Sequence, residues 1–444
     1  MNKLKLFNLF ASASLLVLMS NAAQALPSFA RQTGESCAAC HIGSFGPQLT
    51  PHGIKFKLGG YTDYDGKDGH VPLSAMLVGS FTHTSKGQTE NAAPHMGKND
   101  NLSLEEISIF LAGRLNEHVG GLVQVTGNDV DRKFAMDNMD VRVVNNTQWA
   151  GKDMTYGLSI NNNPTIQDPF NTLPGWKFPY MGSELTPGYN ATPMLDGGLS
   201  QTVLGASAYG FYDNSFYAEL GGYQSLSPGA LNQLNLQKSQ KIIGTAPYWR
   251  LAYFSDLKKH AYHVGLYGMQ ADLQPDYLSS GSTDKYRDIG VDASYQFLGT
   301  REHIWTVNSS FVNEKRTFDF TGATNRKSNL NRFDISTTYH YQNTYGASLG
   351  FFDVRGTKDE GLYLDTTPDS GSRLASPNTR GYVLQADWTP FGKDESWMSP
   401  WANLRLGLQY TGYTKFNGAS SNYDGNGRNA KDNNTIFSYA WISF

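Results

Sequence analysis

The chain has 444 residues and a formal net charge of -3, which is too close to neutral to indicate a nucleic-acid partner. Charged residues make up only 17% of the chain, against roughly 25% in ordinary soluble domains, and glycine, tyrosine and phenylalanine are abundant. Beyond residue 25 no apolar run is long enough for a membrane-spanning helix. This composition favours a transmembrane β-barrel, with a secreted soluble β-protein as the competing class.

Residues 1–25 have the pattern of a secretory signal peptide. Lys3 and Lys5 give a positive start, an apolar run follows from Leu6 to Met19, and Ala23-Gln24-Ala25 supplies a cleavage site. A first transmembrane helix is the alternative, but the apolar run is shorter than the roughly 20 residues that a span needs. We therefore expect export, with the mature chain starting near Leu26.

Residues 26–72 form a separate predicted domain, which contains both cysteines of the chain in the motif Cys37-x-x-Cys40-His41. In an exported chain this spacing predicts covalent attachment of one c-type haem, with His41 as an axial ligand of the iron. Three alternatives are a thioredoxin-like redox pair, a zinc site, which needs two more ligands, and a strained disulfide. Because a segment this short cannot bury a sufficient core alone, a haem would also stabilise it. The expected packing partners are Phe29, Phe45, Leu49, Phe56 and Leu58.

From Leu73 onwards, apolar and polar residues alternate with a period of two, as in a strand between lipid and a polar lumen. In the clearest segment Leu404, Leu406 and Leu408 share one face and Arg405 lies on the other. The pattern predicts about sixteen antiparallel strands, at 73–84, 103–115, 119–127, 136–147, 152–162, 197–211, 215–226, 246–256, 259–272, 285–298, 301–315, 328–343, 345–356, 379–391, 400–416 and 434–444.

The connections between these strands alternate in length. Turns such as 150–151 and 299–300 are short, whereas 86–102, 163–196, 227–245, 357–378 and 417–433 are long and rich in Gly, Pro, Asn and Ser. This pattern is typical of a Gram-negative outer-membrane barrel with an even strand count and both ends in the periplasm. The terminal sequence FSYAWISF fits a closing strand. We therefore predict an all-β fold in which residues 73–444 form an outer-membrane barrel after the haem domain.

Two stretches carry a resemblance to a known family. The sequences PSFARQTGESCAACH (27–41) and FGPQLTPHGIKFKLGGY (45–61) resemble the start of the fused outer-membrane cytochrome–porins. The barrel segments FLAGRLNEHVGGLVQVT (110–126), FAMDNMDVR (134–142) and GLSINNNPTIQDPFNTLPGW (157–176) are also similar. The second half of the family motif reads Phe-Gly-Arg-x-Phe-Lys-x-x-Gly-Tyr. This chain has His52-Gly53-Ile54 in place of the first three residues, so an arginine that could pair with a haem propionate is missing.

The resemblance implies a function. Members of the family have a monohaem domain before a single-chain barrel and oxidise ferrous iron at the cell surface. We therefore expect an outer-membrane electron conduit that takes electrons from extracellular Fe(II), with the activity of an iron(II) oxidoreductase. The electrons would pass through one covalent haem c to a periplasmic c-type cytochrome. The alternatives are a diffusion porin whose haem domain gates the channel or senses redox state, and a secreted cytochrome fused to a binding barrel.

The second axial ligand of the iron is the least determined residue of the predicted site. The candidates are His52, His70, Met76, His83 and Met96. Met76 is the possible distal ligand that we select, because it alternates onto the lumen face of the first strand, and a Met ligand would raise the haem potential. Its alternative role is simple packing against the haem domain. Polar residues expected to face the lumen are Glu106, Arg114, Asp137, Asp140, Arg142, Glu219, Asp387 and Arg405.

Overall fold

The computed structural model describes residues 26–275, 277 and 281–444, so the predicted signal peptide lies outside the described residues. Before the first strand the chain forms helices α1 (Pro27–Thr33), α2 (Cys37–Cys40) and α3 (Pro51–Leu58), with a 3₁₀ turn at Ile42–Ser44. We call residues 26–72 the plug. Among the described helices, none has the length and apolar character that crossing a membrane requires.

The strands begin at Leu73 and continue to the end of the chain. They are β1 (Leu73–Thr84), β2 (Asn101–Arg114), β3 (Val119–Gly127), β4 (Phe134–Trp149), β5 (Lys152–Asn161), β6 (Val203–Tyr212), β7 (Phe216–Ser225), β8 (Lys241–Ile242), β9 (Ala246–Asp256), β10 (His260–Gln274), β11 (Asp284–Phe297), β12 (His303–Thr317), β13 (Lys327–Tyr341), β14 (Tyr345–Gly356), β15 (Thr379–Trp388), β16 (Asn403–Lys415) and β17 (Thr435–Ser443). The loops carry helices α4 (Pro228–Gln233) and α5 (Glu360–Tyr363), 3₁₀ turns at Pro174–Trp176 and Ala430–Asn433, and a π-helical turn at Met194–Gly198.

The sheet is closed. Each long strand pairs antiparallel with the next long strand, and β1 pairs with β17, so that Met76 lies opposite Ser443. The two-residue strand β8 only extends the edge of β10. The described residues therefore form a barrel of sixteen long strands, which confirms the predicted fold class.

The outer surface of the barrel is apolar and the inner surface is polar. On β9, for example, Leu251 points outward with 53% of its surface exposed, whereas the neighbouring Arg250 is fully buried in the lumen. A closed antiparallel ladder satisfies every backbone hydrogen bond inside a bilayer, and an outward apolar face suits contact with lipid. We therefore place the barrel in the outer membrane, as the alternation predicts.

The strand predicted at 197–211 begins later in the structure than the sequence pattern indicates. The alternation indicates a strand from residue 197, but β6 begins at Val203, and residues 162–202 instead fold into the lumen. We call this segment the inward loop. Its tip is fixed by two carboxylates of the barrel wall: the N–H of Met194 donates to Glu314 at 2.6 Å, and that of Leu195 donates to Asp288 at 2.8 Å. Gly197, at φ 94°, then turns the chain back towards β6.

The plug lies inside the barrel at the end with the short turns. The Asn403 amide donates to the carbonyl of Ser44 at 2.9 Å, and the Arg405 guanidinium donates to that of Gly43 at 3.1 Å. On β11, five strands away around the barrel, Gln296 donates to the carbonyl of Leu49 at 2.8 Å. Since short turns face the periplasm in such barrels, the plug occupies the periplasmic half of the lumen.

One connection on the short-turn side, residues 389–402, is longer than the pattern predicts and covers part of the plug. The Ser36 hydroxyl donates to Asp394 at 2.6 Å, and the Ser44 hydroxyl donates to the carbonyl of Gly392. These contacts hold both flanks of the Cys37–Cys40 helix against the barrel.

Four of the eight charged residues predicted to face the lumen form ion pairs with one another, namely Asp140 with Arg142 and Asp387 with Arg405. Arg142 forms an ion pair with Asp140 at 2.9 Å, and its guanidinium also donates to the carbonyl of Lys57 at 3.0 Å. Asp140 in turn accepts a hydrogen bond of 2.6 Å from the Tyr61 hydroxyl. Two of the predicted lumen charges, Asp140 and Arg142, thus contact the plug.

Candidate cofactor site

Helix α2 presents the two cysteines one turn apart. Cys37 and Cys40 begin and end the helix, so their side chains share one face, and His41 follows in extended conformation. The N–H of His41 donates to the carbonyl of Cys37 at 2.9 Å, and the N–H of Thr50 donates to that of Cys40 at 2.9 Å. These bonds fix the motif against the start of α3.

Helix α3 is positioned by its first residues. The Thr50 hydroxyl caps the helix by accepting the N–H of Gly53 at 3.2 Å, and Pro51 occupies the first turn, where no N–H is needed. Gly53 then allows α3 to lie directly on the backbone of Cys40. A Cβ at this position would be only 2.3 Å from the Cys40 carbonyl oxygen.

Both cysteines and His41 line one cavity of about 860 Å³, part of which is open to solvent. The wall is formed by the plug, by strands β3 and β4, and by the inward loop. Its other lining residues are Leu26, Phe29, Ala30, Thr33, Glu35, Ser36, Leu49, Gly53, Phe56, Lys57, Tyr61, Leu122, Gln124, Asn138, Ile166, Asn171 and Trp176.

The ionisation of the motif does not favour thiol redox chemistry. Burial raises the pKa of the Cys37 thiol and raises that of Cys40 to about 12, with Glu35 acting in the same direction. Catalytic redox cysteines instead have lowered pKa values, because the thiolate is the nucleophile. Burial also lowers the pKa of His41 to about 4, against an opposing effect of the Gly46 backbone. The imidazole is therefore neutral near pH 7, as a metal ligand must be.

The residues present fit a covalently attached haem. Both thiols are free, and together with a neutral imidazole they face one largely apolar cavity. Aromatic and aliphatic side chains such as Phe29, Phe56 and Trp176 supply the apolar surface that a porphyrin ring requires. Attachment of haem c to Cys37 and Cys40, and ligation of its iron by His41, remain predictions.

A different metal arrangement touches the same motif. Among the described residues, Glu35, Cys40 and His52 are the one group of three ligand side chains whose ligand atoms lie within 4.8 Å of one another. His52 Nε2 is 2.6 Å from Glu35 Oε2, and both side chains are more than one-third exposed. This triad includes neither Cys37 nor His41, so it leaves two residues of the motif without a role.

The five candidates for the second axial ligand do not line the cavity. Met76 is buried in a hydrophobic cluster with Phe45, Phe110 and Trp441, so the structure does not bring it to the two cysteines. His52, His70 and His83 are hydrogen-bonded to Glu35, Asp65 and Asp100, respectively. Met96, in the first long loop, packs in a cluster with Ala93 of the same loop and Leu185 of the inward loop. Of the described cavity-lining residues, His41 alone offers an imidazole, and none offers a thioether.

Sequence reasoning missed the far wall of the cavity. Ile166, Asn171 and Trp176 come from the inward loop, which the pattern indicates as an extracellular connection. Lys57 was also missed, although it is a lysine among the apolar residues Ile54, Phe56 and Leu58 of one helix. Its position three residues after Ile54, on the buried face of a helix whose His52 and Lys55 are exposed, is the one local signal that could have marked it.

Distant similarities accompany this fold. Pseudomonas putida OprB is 13% identical over 84% of this chain and 94% of that chain, with a TM-score of 0.49. The outer-membrane channel DcaP of Acinetobacter baumannii is 12% identical over 84% and 96%, with a TM-score of 0.44. Vibrio cholerae OmpT, folded in vitro, is 9% identical over 84% and 96%, with a TM-score of 0.41. No protein-family model and no curated protein matches the chain. Likeness at this distance does not bear on function.

Proposed function

We propose that this protein is an outer-membrane electron-transfer protein that carries one covalent haem c on its plug. The observation that carries the proposal is that both thiols of the Cys-x-x-Cys-His motif and its imidazole line a single apolar cavity inside the barrel. A haem bound there supplies a reversible one-electron couple.

Each residue of the motif has a role in this proposal. Cys37 and Cys40 form the thioether links, and His41 binds the iron through its neutral ring. Phe29, Phe56 and the residues of the inward loop exclude water from the apolar part of the cavity. The barrel supplies the passage through the membrane, since the polar helices of the plug could not cross a bilayer alone.

Extracellular Fe(II) is the proposed electron donor, and a periplasmic c-type cytochrome is the proposed acceptor. The donor rests on the sequence resemblance and on a second cavity at the long-loop end of the barrel, which is partly open to solvent. Its lining includes the carboxylate of Asp131 and also the cations Lys177 and Arg332. A hard oxygen ligand such as this carboxylate suits transient contact with Fe²⁺. The acceptor is supported by the position of the motif at the periplasmic end, where Glu35 and His52 are partly exposed.

The test mixes purified, haem-loaded protein with Fe(II) without oxygen and follows the haem absorption bands. The proposal expects one covalent haem per chain and reduction of that haem by Fe(II). The control is the Cys37→Ala/Cys40→Ala variant, which should fold as a barrel and show no haem bands. A wild-type protein without covalent haem would overturn the whole proposal, whereas a haem that Fe(II) fails to reduce at any pH would overturn the iron assignment.

A diffusion porin is the second candidate, and the porin-like barrel itself favours it. The two functions differ in the current that the lumen should carry. The plug and the inward loop both occupy the lumen, so the electron-transfer proposal expects low conductance in a planar bilayer. Stable porin-sized conductance of the intact protein would favour the diffusion porin.

A further inference from the structure

Lys57 is a buried basic residue on the wall of the cavity. It lies on α3 with 5% of its surface exposed, and it is the one Lys or Arg among the described residues that line this cavity. Its ammonium group lies 4.5 Å from the centre of the Trp176 ring, which closes one side of it. An ammonium removed from water to this degree requires partners for its charge and for its hydrogens.

Protein groups satisfy only part of this requirement. Nζ donates to the carbonyl of Ile166 at 2.7 Å and to Oδ1 of Asn171 at 2.8 Å, so two of its three hydrogens have neutral acceptors. Within the described part of the chain, Lys57 forms no ion pair. Burial and, after it, the charge of Arg142 lower the pKa of Lys57 to about 7, against the raising effect of Asp140, Asp168 and Glu219. A carboxylate bound beside Nζ would favour the protonated form.

The nearby carboxylates have closer partners of their own. Asp140 pairs with Arg142 at 2.9 Å, and Asp168 pairs with Arg250 at 3.2 Å. Glu219 accepts hydrogen bonds from the hydroxyls of Ser207 and Tyr217. In its protonated form Lys57 is therefore left with one hydrogen and one positive charge for a partner that the chain does not supply, and the cavity lies beside it.

We propose that Lys57 binds an acidic side group of the cofactor attached at Cys37 and Cys40, and that it thereby raises the reduction potential of that cofactor. A haem carries two propionate groups, and the rest of its edge is apolar. Asn138, Gln124 and Asn171 line the cavity together with Lys57 and make it polar enough for a carboxylate. This inference rests on the proposed function, because it requires a haem at the site.

Of the two cations in the family motif, which fall at positions 54 and 57, this chain retains only Lys57. Ile54 stands where the family has an arginine, and its side chain is buried in a hydrophobic cluster with Leu49 and Leu58. Lys57, three residues further along α3, supplies a cation that Ile54 cannot. A positive charge beside the propionates favours the reduced haem, which carries one positive charge fewer.

The experiment compares full-length, haem-loaded Lys57→Gln with wild type. Glutamine retains hydrogen bonding to Ile166 and Asn171 but removes the charge. Lys55→Gln is the matched control, because Lys55 lies on the same helix, is about half exposed and is 3.9 Å from Asp256. Haem stoichiometry and midpoint potential are measured for each protein by pyridine haemochrome assay and spectroelectrochemical titration.

We expect a lower midpoint potential in Lys57→Gln, no change in Lys55→Gln, and recovery of the wild-type value in Lys57→Arg. A folded, fully haem-loaded Lys57→Gln protein with the wild-type potential would overturn the inference and leave the proposed function intact. Absence of covalent haem from the wild type would instead overturn the proposed function.

If Lys57→Gln does not accumulate as a folded barrel, resonance Raman spectroscopy of wild type and Lys57→Arg decides the question. The bending band of the propionates reports their hydrogen bonding, and arginine changes its geometry while keeping the charge. A shifted band in Lys57→Arg is expected, and an unchanged band would overturn the inference.

Discussion

Gly53 lies directly on the carbonyl group of Cys40, so that an added Cβ would come within 2.3 Å of the Cys40 oxygen. The contact is with backbone, which cannot rotate away as a flexible side chain could. The approach of α3 to the cysteine motif therefore depends on the absence of a side chain at this one position.

Gly53→Ala is predicted to displace α3 and to lower the yield of covalent haem per folded barrel. Overpacking of this kind costs roughly 1–3 kcal/mol, which is large for a plug with a small core. The measurement is the ratio of haem absorbance to heat-modifiable barrel on a gel. Gly79→Ala is the control, because no atom lies within 4 Å of the Cβ position there. Equal haem yields in the two variants would contradict the prediction.

Arg405 is predicted to hold the plug in the lumen through buried charge. It donates to the carbonyl of Gly43 at 3.1 Å, and its Nε lies 3.6 Å from Asp387 Oδ2. Arg405→Ala leaves Asp387 buried without its cation, a change that typically costs about 3–5 kcal/mol. We expect a lower temperature of unfolding on heated gels and faster proteolysis of the plug.

The matched control for Arg405 is Arg355→Ala. Arg355 pairs with Asp353 at 2.6 Å, but its side chain is 62% exposed, and exposed pairs contribute only about 0–1 kcal/mol. The unfolding temperature of Arg355→Ala should stay near that of wild type. If both variants lose the same stability, the buried pair is not what holds the plug.

The barrel was predictable because lipid dictates a local pattern. Every lipid-facing position must be apolar, so a two-residue period marks the strands, and β1 and β3 have their predicted bounds. The inward loop was not predictable in the same way. Its polar residues are buried by pairing with distant strands, as Asp168 pairs with Arg250, and such partners leave no periodic signal in the sequence.

The candidate site likewise has one part that the sequence predicts and one part that depends on contacts between distant residues. A covalent motif must be contiguous, so Cys37, Cys40 and His41 are readable from the sequence alone. The cavity wall is assembled from α3, β3, β4 and the inward loop, so Lys57 and Trp176 become neighbours only after the barrel has closed. Met76 shows the limit of alternation: its lumen-facing position was correct, but which lumen residue it meets depends on how deep the plug sits.

Glu184 is predicted to make stability depend on pH. Burial raises its pKa to about 8, and Glu105, Asp131 and Asp137 act in the same direction. Because the folded state binds this proton more tightly than the unfolded state, the stabilisation is fully present below pH 4.5. This stabilisation is lost as the pH rises towards 8, where the free energy of unfolding falls by roughly 1.4 kcal/mol per pH unit.

Glu184→Gln should remove this dependence, so that the variant exceeds wild type in unfolding temperature at pH 9 and matches it at pH 4. Unfolding temperatures measured at intervals from pH 4 to pH 9 provide the comparison. Glu117→Gln is the control, since Glu117 lies in a periplasmic turn with 79% of its side chain exposed. If unfolding temperature depends on pH in the same way for Glu184→Gln and wild type, Glu184 is not the source of the pH dependence.

Asp168 is predicted to keep the inward loop folded in the lumen. Its carboxylate accepts the N–H groups of Phe170, Thr172 and Leu173 at 2.8–3.1 Å and pairs with Arg250 at 3.2 Å. Asp168→Ala removes all four interactions at once and leaves three buried donors without this acceptor. We expect the loop to open locally and the single-channel conductance to rise severalfold.

Conductance in a planar bilayer measures this directly, because the strands themselves do not contact Asp168 through their backbone and the barrel should remain closed. Asp319→Ala is the control: its carboxylate pairs with Arg326 at 2.9 Å in another long-side loop, where that ion pair is largely exposed. Only Asp168→Ala should increase the current, and its haem content should fall as well, since Ile166, Asn171 and Trp176 leave the cavity wall together. A rise in conductance with full haem retention would mean that the loop and the cavity are independent.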